Sequence, residues 1–368
     1  MTDIFENPYL KEQIITYIGN KRLLLPNINR HIENIKAETG KDRLVSADLF
    51  SGSGIVARLL KLHSSLVIAN DLEKYSRILN ECYLSNKEEF SEEDYDRQYA
   101  FLEESLKNPE RGIISELYSP ENDGDIKEGE RVFYTSKNAR IIDTVRNAVC
   151  GMDEHLQKFF LAPLLYEASV HTNTSGVFKG FYKDSKTGIG KFGGNGENAL
   201  TRILGDITVR KPVLSPVSSE YLVFQKDAAD LTKELKCLDI AYIDPPYNQH
   251  PYGSNYFMLN VIAENVFPEK ISAVSGIPEG WNRSDYNKKK LVHSALEDLI
   301  SGLDAEYLII SYNSEGFVAF DEMTDLLSKY GRLTTEEIYY NTFRGCRNLH
   351  ARPKHVSEYL FVLKKGGR

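Results

Sequence analysis

Two adjacent prolines, Pro245 and Pro246, follow directly on the apolar run Leu238-Asp239-Ile240-Ala241-Tyr242-Ile243. The run has the length and the Ile/Tyr content of a buried strand. Neither proline can donate to a sheet ladder, so the strand must stop there and the chain must turn. Asp244 and Tyr247 flank the turn, which puts a carboxylate and an aromatic ring side by side at the carboxyl end of a strand. In open α/β sheets ligands bind at that edge. The pair suits a planar ligand with an exocyclic amino group. Asp244 and the Pro245 carbonyl can accept the two amino hydrogens, drawing the nitrogen lone pair out of the ring, while Tyr247 stacks on the ring face. The plain alternative, which the motif favours less, is a Pro-Pro loop with a solvated aspartate.

A second signal lies far upstream. Leu44 to Leu49 reads as another strand, followed at once by Phe50-Ser51-Gly52-Ser53-Gly54 and by a helical stretch with Ile55, Val56, Leu59 and Leu60 on one face. Glycine permits the tight turn and lets a ligand approach the backbone at a helix N-terminus. A further strand, Leu66 to Ala69, ends at Asn70-Asp71, an acid placed to hold ribose hydroxyls. This order is a nucleotide half-site. Gly52-x-Gly54-x-x-Ala57 with Asp71 also satisfies the looser dinucleotide fingerprint of NAD-linked oxidoreductases. Hydride transfer, however, has no evident use for Asp244 to Tyr247.

Four blocks together resemble the Dam-type (α-group) DNA N6-adenine methyltransferases, which use S-adenosylmethionine. Tyr17-Ile18-Gly19-Asn20-Lys21 is similar to the family's amino-terminal cofactor motif, although Asn20 stands where Gly or Ser is more usual. Phe50 to Gly54 matches its FxGxG loop, Asp227-Ala228 its adenine-contacting acid, and Asp244 to Tyr247 its catalytic tetrapeptide. The block order is that of the α-group, and the likeness is clear over roughly 1–85 and 220–365 and weak between. The resemblance implies a class I methyltransferase fold, a Rossmann-like, mostly parallel α/β sheet. It implies that Asp244, Pro245, Pro246 and Tyr247 hold the target adenine. Phe50, Ser51, Gly52 and Gly54 would line the methionine end of the cofactor, with Asp48 near its amino group and Asp71 on the ribose. Tyr17, Gly19 and Lys21 would close over it, and Asp227 and Ala228 would meet its adenine. No metal is implied. The adenine amino group is buried in duplex pairing, so double-stranded DNA as substrate implies base flipping. A cognate restriction endonuclease encoded nearby is a candidate partner.

At 368 residues the chain exceeds the usual single domain. We expect a catalytic domain over 1–85 and 219–368 and an inserted, mainly helical target-recognition domain over 86–218. Within the insert, Met152, His155, Leu156, Phe159, Phe160, Leu164 and Leu165 mark an amphipathic helix. The formal charge of −8 conceals a gradient: residues 88–130 hold 15 acidic and 4 basic residues, so the remainder sums to +3. The acidic stretch reads as solvated helix and loop turned away from DNA. Two other regions read as nucleic-acid surface. One runs from Ser169 to Gly196 and offers Asn173, Lys179, Lys183, Lys191 and Asn195; the other is a basic hairpin loop with Arg344 and Arg347, between candidate strands at Ile338 to Tyr340 and Glu358 to Leu363. Tyr252, Tyr256 and Phe257, with Ser311 and Asn313 at a later strand end, are placed beside the same pocket.

No run approaches the ~20 apolar residues of a membrane span, the first residues lack signal-peptide character, and Cys82, Cys150, Cys237 and Cys346 are widely spaced. A cytoplasmic protein with reduced thiols and no membrane partner is expected. Two alternatives from other classes stand beside the main reading: an RNA or rRNA base-amino methyltransferase, and a nucleic-acid-binding homologue that has lost catalysis, against which the intact Asp244 argues.

Overall fold

Within the run 238–243, Ile240 and Tyr242 face one hydrophobic layer while Ala241 and Ile243 face another. This two-residue alternation belongs to a strand buried on both sides. In the computed structural model, which describes residues 4–194, 199–341 and 355–366, this strand lies in the middle of a seven-stranded sheet. The strands are β1 (Leu44–Asp48), β2 (Ser64–Asn70), β3 (Glu220–Phe224), β4 (Leu238–Ile243), β5 (Ala305–Asn313), β6 (Gly331–Asn341) and β7 (His355–Lys365). Their order is β3-β2-β1-β4-β5-β7-β6, parallel except for the antiparallel pairs β5–β7 and β6–β7. The architecture is that of a class I methyltransferase sheet.

The order reverses between β1 and β4, whose register sets Asp48 opposite Tyr242. The chain leaves both strands at their carboxyl ends within two residues of that pair, so the glycine loop and the proline turn emerge side by side. This is the crevice at a topological switch point, where open α/β sheets bind ligands.

Helices cover both faces. They are α1 (Pro8–Lys11), α2 (Leu25–Thr39), α3 (Ile55–His63), α4 (Lys74–Tyr83), α5 (Glu92–Leu106), α6 (Ile113–Leu117), α7 (Ser136–Cys150), α8 (Glu154–Val170), α9 (Leu200–Leu204), α10 (Ala228–Leu231), α11 (Tyr252–Asn255), α12 (Phe257–Glu264), α13 (Val292–Gly302) and α14 (Phe320–Ser328). One face carries α10, α13 and α14. The other carries α2, α3 and α4, and their apolar side chains run without a break into those of α5 to α8 and α12. Segment 86–218 carries α5 to α9 and the long loops among them, and α5 to α8 pack into this common layer. No helix among the described residues is long and apolar enough to cross a membrane.

The acidic stretch is less solvated than its charge implies. Ser91 caps α5 by accepting the Asp94 N–H, and Glu92, Glu93 and Asp94 complement the positive helix end. The opposite side of α5 buries Tyr95 and Leu102, and Tyr95 stacks on Phe160 at 4.3 Å. Of the residues expected on the inner face of α8 and just before it, His155 is exposed and the other six are buried.

Arg58 on α3 is buried and donates to the Tyr9, Glu12 and Gln13 carbonyls at 3.1, 2.9 and 2.9 Å. Its guanidinium lies 3.7 Å from the Tyr83 ring centroid. The N-terminal segment is thereby tied to the helix that follows the glycine loop.

Candidate active site

The loop between β1 and α3 is shaped by its glycines. Gly52 and Gly54 have φ of +50° and +77°, a region that side chains with a Cβ rarely enter. The Gly54 N–H donates to the Ser51 carbonyl at 2.7 Å, and the Gly54 carbonyl opens α3 by accepting the Arg58 N–H. The Ser51 hydroxyl sits 3.1 and 3.0 Å from the Asp48 and Asn70 carbonyls, fastening the loop to β1 and β2. Asp71 fixes the other side: its carboxylate accepts the Gly52 N–H at 2.7 Å and the Glu73 N–H at 2.9 Å. Burial raises Asp71 above the ordinary carboxylate range against these backbone donors.

Tyr17 lies over this loop. A Cβ on Gly52 would come within 2.9 Å of its ring, and its hydroxyl is 3.2 Å from that of Tyr75. Tyr256 and Tyr252 stack on Tyr17 at 4.5 and 4.9 Å. The Tyr252 hydroxyl donates to the Ile18 carbonyl in the turn that contains Gly19, and the Tyr256 hydroxyl accepts the Ile18 N–H at 2.6 Å. The tyrosine stack therefore bridges the amino-terminal motif and the chain that follows the proline turn.

A single cleft joins the two signals. Phe50, Asp71, Asp227 and Ala228, from the ends of β1, β2 and β3, line it together with Asp244 and Pro246 from the end of β4 and with Tyr17 and Tyr252. Asp227 caps α10 by accepting the Ala229 N–H at 2.9 Å. Tyr286, edge-on to Phe50 at 5.1 Å, and the buried Glu73 complete the wall. Burial and then the charge of Asp71 push the Glu73 carboxyl up to about 7. Neither Glu73 nor Tyr286 was singled out from sequence. Glu73 stands two residues past the acid at the end of β2, and that adjacency was the available signal. Asp48 is buried below the loop, its Oδ1 has no hydrogen-bond partner, and burial holds its carboxyl well above the usual range.

Lys21 departs from the sequence expectation. It does not line the cleft's cofactor-side wall; its Nζ lies 3.0 Å from Asp244 Oδ1 and 2.8 Å from Glu358 Oε1. A buried ammonium seeks carboxylates, and the nearest pair belongs to the proline turn and β7. Ser311 and Asn313 donate to Glu358 at 2.7 and 3.1 Å, so they support that carboxylate from β5. Pro245 is buried behind Asp244. Tyr247 packs edge-on against Tyr312 at 6.4 Å, and its carbonyl accepts the Phe317 N–H. Phe257 is a core residue.

The expected nucleic-acid surface divides. Asn173 is fully buried: its amide donates to the Val132 and Lys191 carbonyls at 2.7 and 2.8 Å and accepts the Gly193 N–H at 2.9 Å. Both amide hydrogens and one lone pair are spent on backbone inside the core, so Asn173 holds the 173–193 segment together and is not poised to read a base. Lys179 is exposed, and Lys183 reaches over the Phe181 ring at 5.0 Å. The Lys191 N–H donates to the Tyr182 carbonyl at 3.0 Å, closing a two-stranded finger. Asn195, Arg344 and Arg347 lie outside the described residues.

Residues 17–326 match the D12 class N6 adenine-specific DNA methyltransferase family. Type II methyltransferase M.NlaIII of Neisseria lactamica is 31% identical, with 95% of this chain and 99% of that protein covered. Type II methyltransferase M.CviAII of Paramecium bursaria Chlorella virus 1 is 32% identical over 95% and 98% of the two chains. Type II methyltransferase M.FokI of Planomicrobium okeanokoites is 30% identical over 95% of this chain but 52% of its own length. With the nucleotide half-site and the proline turn meeting in one cleft, and with a family match over most of its length, the chain belongs to the D12 class of N6 adenine-specific DNA methyltransferases.

Proposed function

We propose that the protein is a Dam-type modification enzyme that transfers a methyl group from S-adenosylmethionine to the N6 amino group of an adenine flipped out of duplex DNA. The observation that carries this reading is the shared cleft: Phe50, Asp71 and Asp227 line the same space as Asp244 and Pro246. S-adenosylmethionine suits the first part chemically. An orphaned carboxylate oxygen at Asp48 offers a partner for an ammonium, the glycine loop lets a ligand meet the backbone, and acids at Asp71 and Asp227 offer acceptors for hydroxyl and amino groups. When bound, it supplies a methyl group on a sulfonium, already a strong electrophile. The protein's task is then orientation. Asp244 and the Pro245 carbonyl accept the amino hydrogens, Tyr247 stacks on the base, and the tyrosine stack separates this compartment from solvent. The named relatives are Type II methyltransferases, which supports pairing with a cognate endonuclease and favours DNA over RNA as the substrate.

Digestion of host DNA to nucleosides, followed by mass spectrometry with and without the gene, tests the reading. N6-methyladenine appears only with the gene; methylated cytosine, or no modified nucleoside, contradicts it. For the cofactor half, Asp71→Ala weakens S-adenosylmethionine binding by about 1.5–3 kcal/mol in calorimetry, the scale of charge-assisted hydrogen bonds. Unchanged affinity would remove Asp71 from the site.

Sequence choice is assigned to the 86–218 segment, with the 182–191 finger against the duplex. Replacing Lys179, Lys183 or Lys191 weakens binding to all DNA sequences alike and reduces the log–log salt slope by about 0.9 each. A slope that stays constant would place the phosphate contacts elsewhere, the Arg344 to Arg347 loop being the next candidate.

A further inference from the structure

Among the described residues, the Lys21 ammonium lies between Asp244 and a further carboxylate, Glu358. Lys21 is 5% exposed and touches both Asp244 and Glu358; Glu358, 1% exposed, is gripped by Ser311 and Asn313. Lys21 comes from the loop before α2, Glu358 from β7, and Asp244 from the end of β4. Buried charge is costly unless it is paired. Lys21 bridges two carboxylates, and the more exposed of these, Asp244 at 18%, is the one that lines the cleft.

We propose that Lys21 and Glu358 are positioning residues for the acceptor: Glu358, fixed by Ser311 and Asn313, holds the Lys21 ammonium against Asp244, so that Asp244 meets the target amino group as an oriented carboxylate. The inference rests on the reading of Asp244 as that acceptor. A protonated Asp244 would present a donor where the amino hydrogens need an acceptor. Burial, opposed by the Lys21 charge and reinforced by that of Glu358, raises its carboxyl to about 7. The other titratable groups facing it are Asp48 from β1 and the phenols of Tyr242, Tyr247 and Tyr252. Burial raises all three phenols and Asp48. Lys21, in direct contact with Asp244, and Glu358, in contact with Lys21, are the charged groups that the geometry ties to Asp244.

The signs of the two effects differ, and the experiment uses that difference. The dependence of kcat/KM for DNA on pH reports groups of the free enzyme. Activity that needs ionised Asp244 is lost as pH falls through its pKa. Lys21→Met removes a positive neighbour, so the acid limb moves to higher pH by about 1–3 units and activity recovers in alkaline buffer. Glu358→Gln removes a negative neighbour while keeping an acceptor for Lys21, so the limb moves to lower pH. S-adenosylmethionine affinity, measured alongside, confirms that each variant is folded. Limbs that stay put, or that move in the same direction, overturn the proposal; should Lys21→Met fail to fold, the Glu358→Gln limb alone decides it. Asp244→Asn separates the two levels. If it methylates normally, the acceptor reading itself falls; if it is inactive while the other limbs do not move, only the positioning role falls.

Discussion

Replacing Asp244 with alanine lowers methyl transfer by about 100-fold or more, the scale for removing one polar contact made most fully in a transition state. S-adenosylmethionine binding stays within a few-fold of wild type. The expectation combines two features. Asp244 follows β4, on the other side of β1 from the strands that lead to Asp71 and Asp227, so its loss leaves those two acids in place. Its removal also leaves the Lys21 ammonium paired with the Glu358 carboxylate, so that buried cation is not stranded. Single-turnover methylation of a duplex, paired with calorimetry, reads both quantities. Near-wild-type turnover would reduce the motif to a Pro-Pro turn, and lost cofactor binding would mean that the acid organises the whole cleft.

The second large effect lies away from the chemistry. Arg58→Ala destabilises the fold by about 3–5 kcal/mol, since it leaves the Tyr9, Glu12 and Gln13 carbonyls without their donor and opens a void against Tyr83. The loss extends to function. Residues 9–13 lead directly into the loop that carries Tyr17 and Lys21, so cofactor affinity falls as well. Urea unfolding with and without S-adenosylmethionine measures both, and a loss under about 1 kcal/mol would mean that water replaces the guanidinium.

Much of this was legible in the chain because strongly apolar, regularly spaced segments carry their own placement. The run 238–243 is a strand over its whole length, and the glycine loop, α3 and β2 follow in the expected order. The hairpin was seen only in part. β6 spans Gly331–Asn341, whereas the sequence suggests 338–340, because an edge strand carrying Thr334, Thr335, Glu336 and Glu337 has too little apolar alternation to announce itself. Partner choice was the less legible property. Lys21 has the right spacing for the cofactor motif, yet its direction depends on Glu358, which only the pairing of β7 with β5 brings near. Asn173 looked like a base reader for the same reason. An amide among hydroxyls and glycines suits a groove, but it equally suits three backbone groups in a buried turn.

The unbroken apolar layer shared by α4, α8 and α12 bears on how such an enzyme can acquire a new target sequence. A segment joined to its host only by flexible linkers can be traded whole between relatives. Segment 86–218 cannot be traded in that way, because α8 packs on α4 and Phe133 and Phe178 pack on Phe257, so a foreign copy would meet the host with mismatched knobs and hollows. Change is cheaper at residues 185–188, the exposed tip of the 182–191 finger. Divergence of specificity in this lineage is therefore expected to proceed by editing loops on a retained helical base, and chimaeras that respect the boundary of the packing should outlast those cut at the boundary of the insertion.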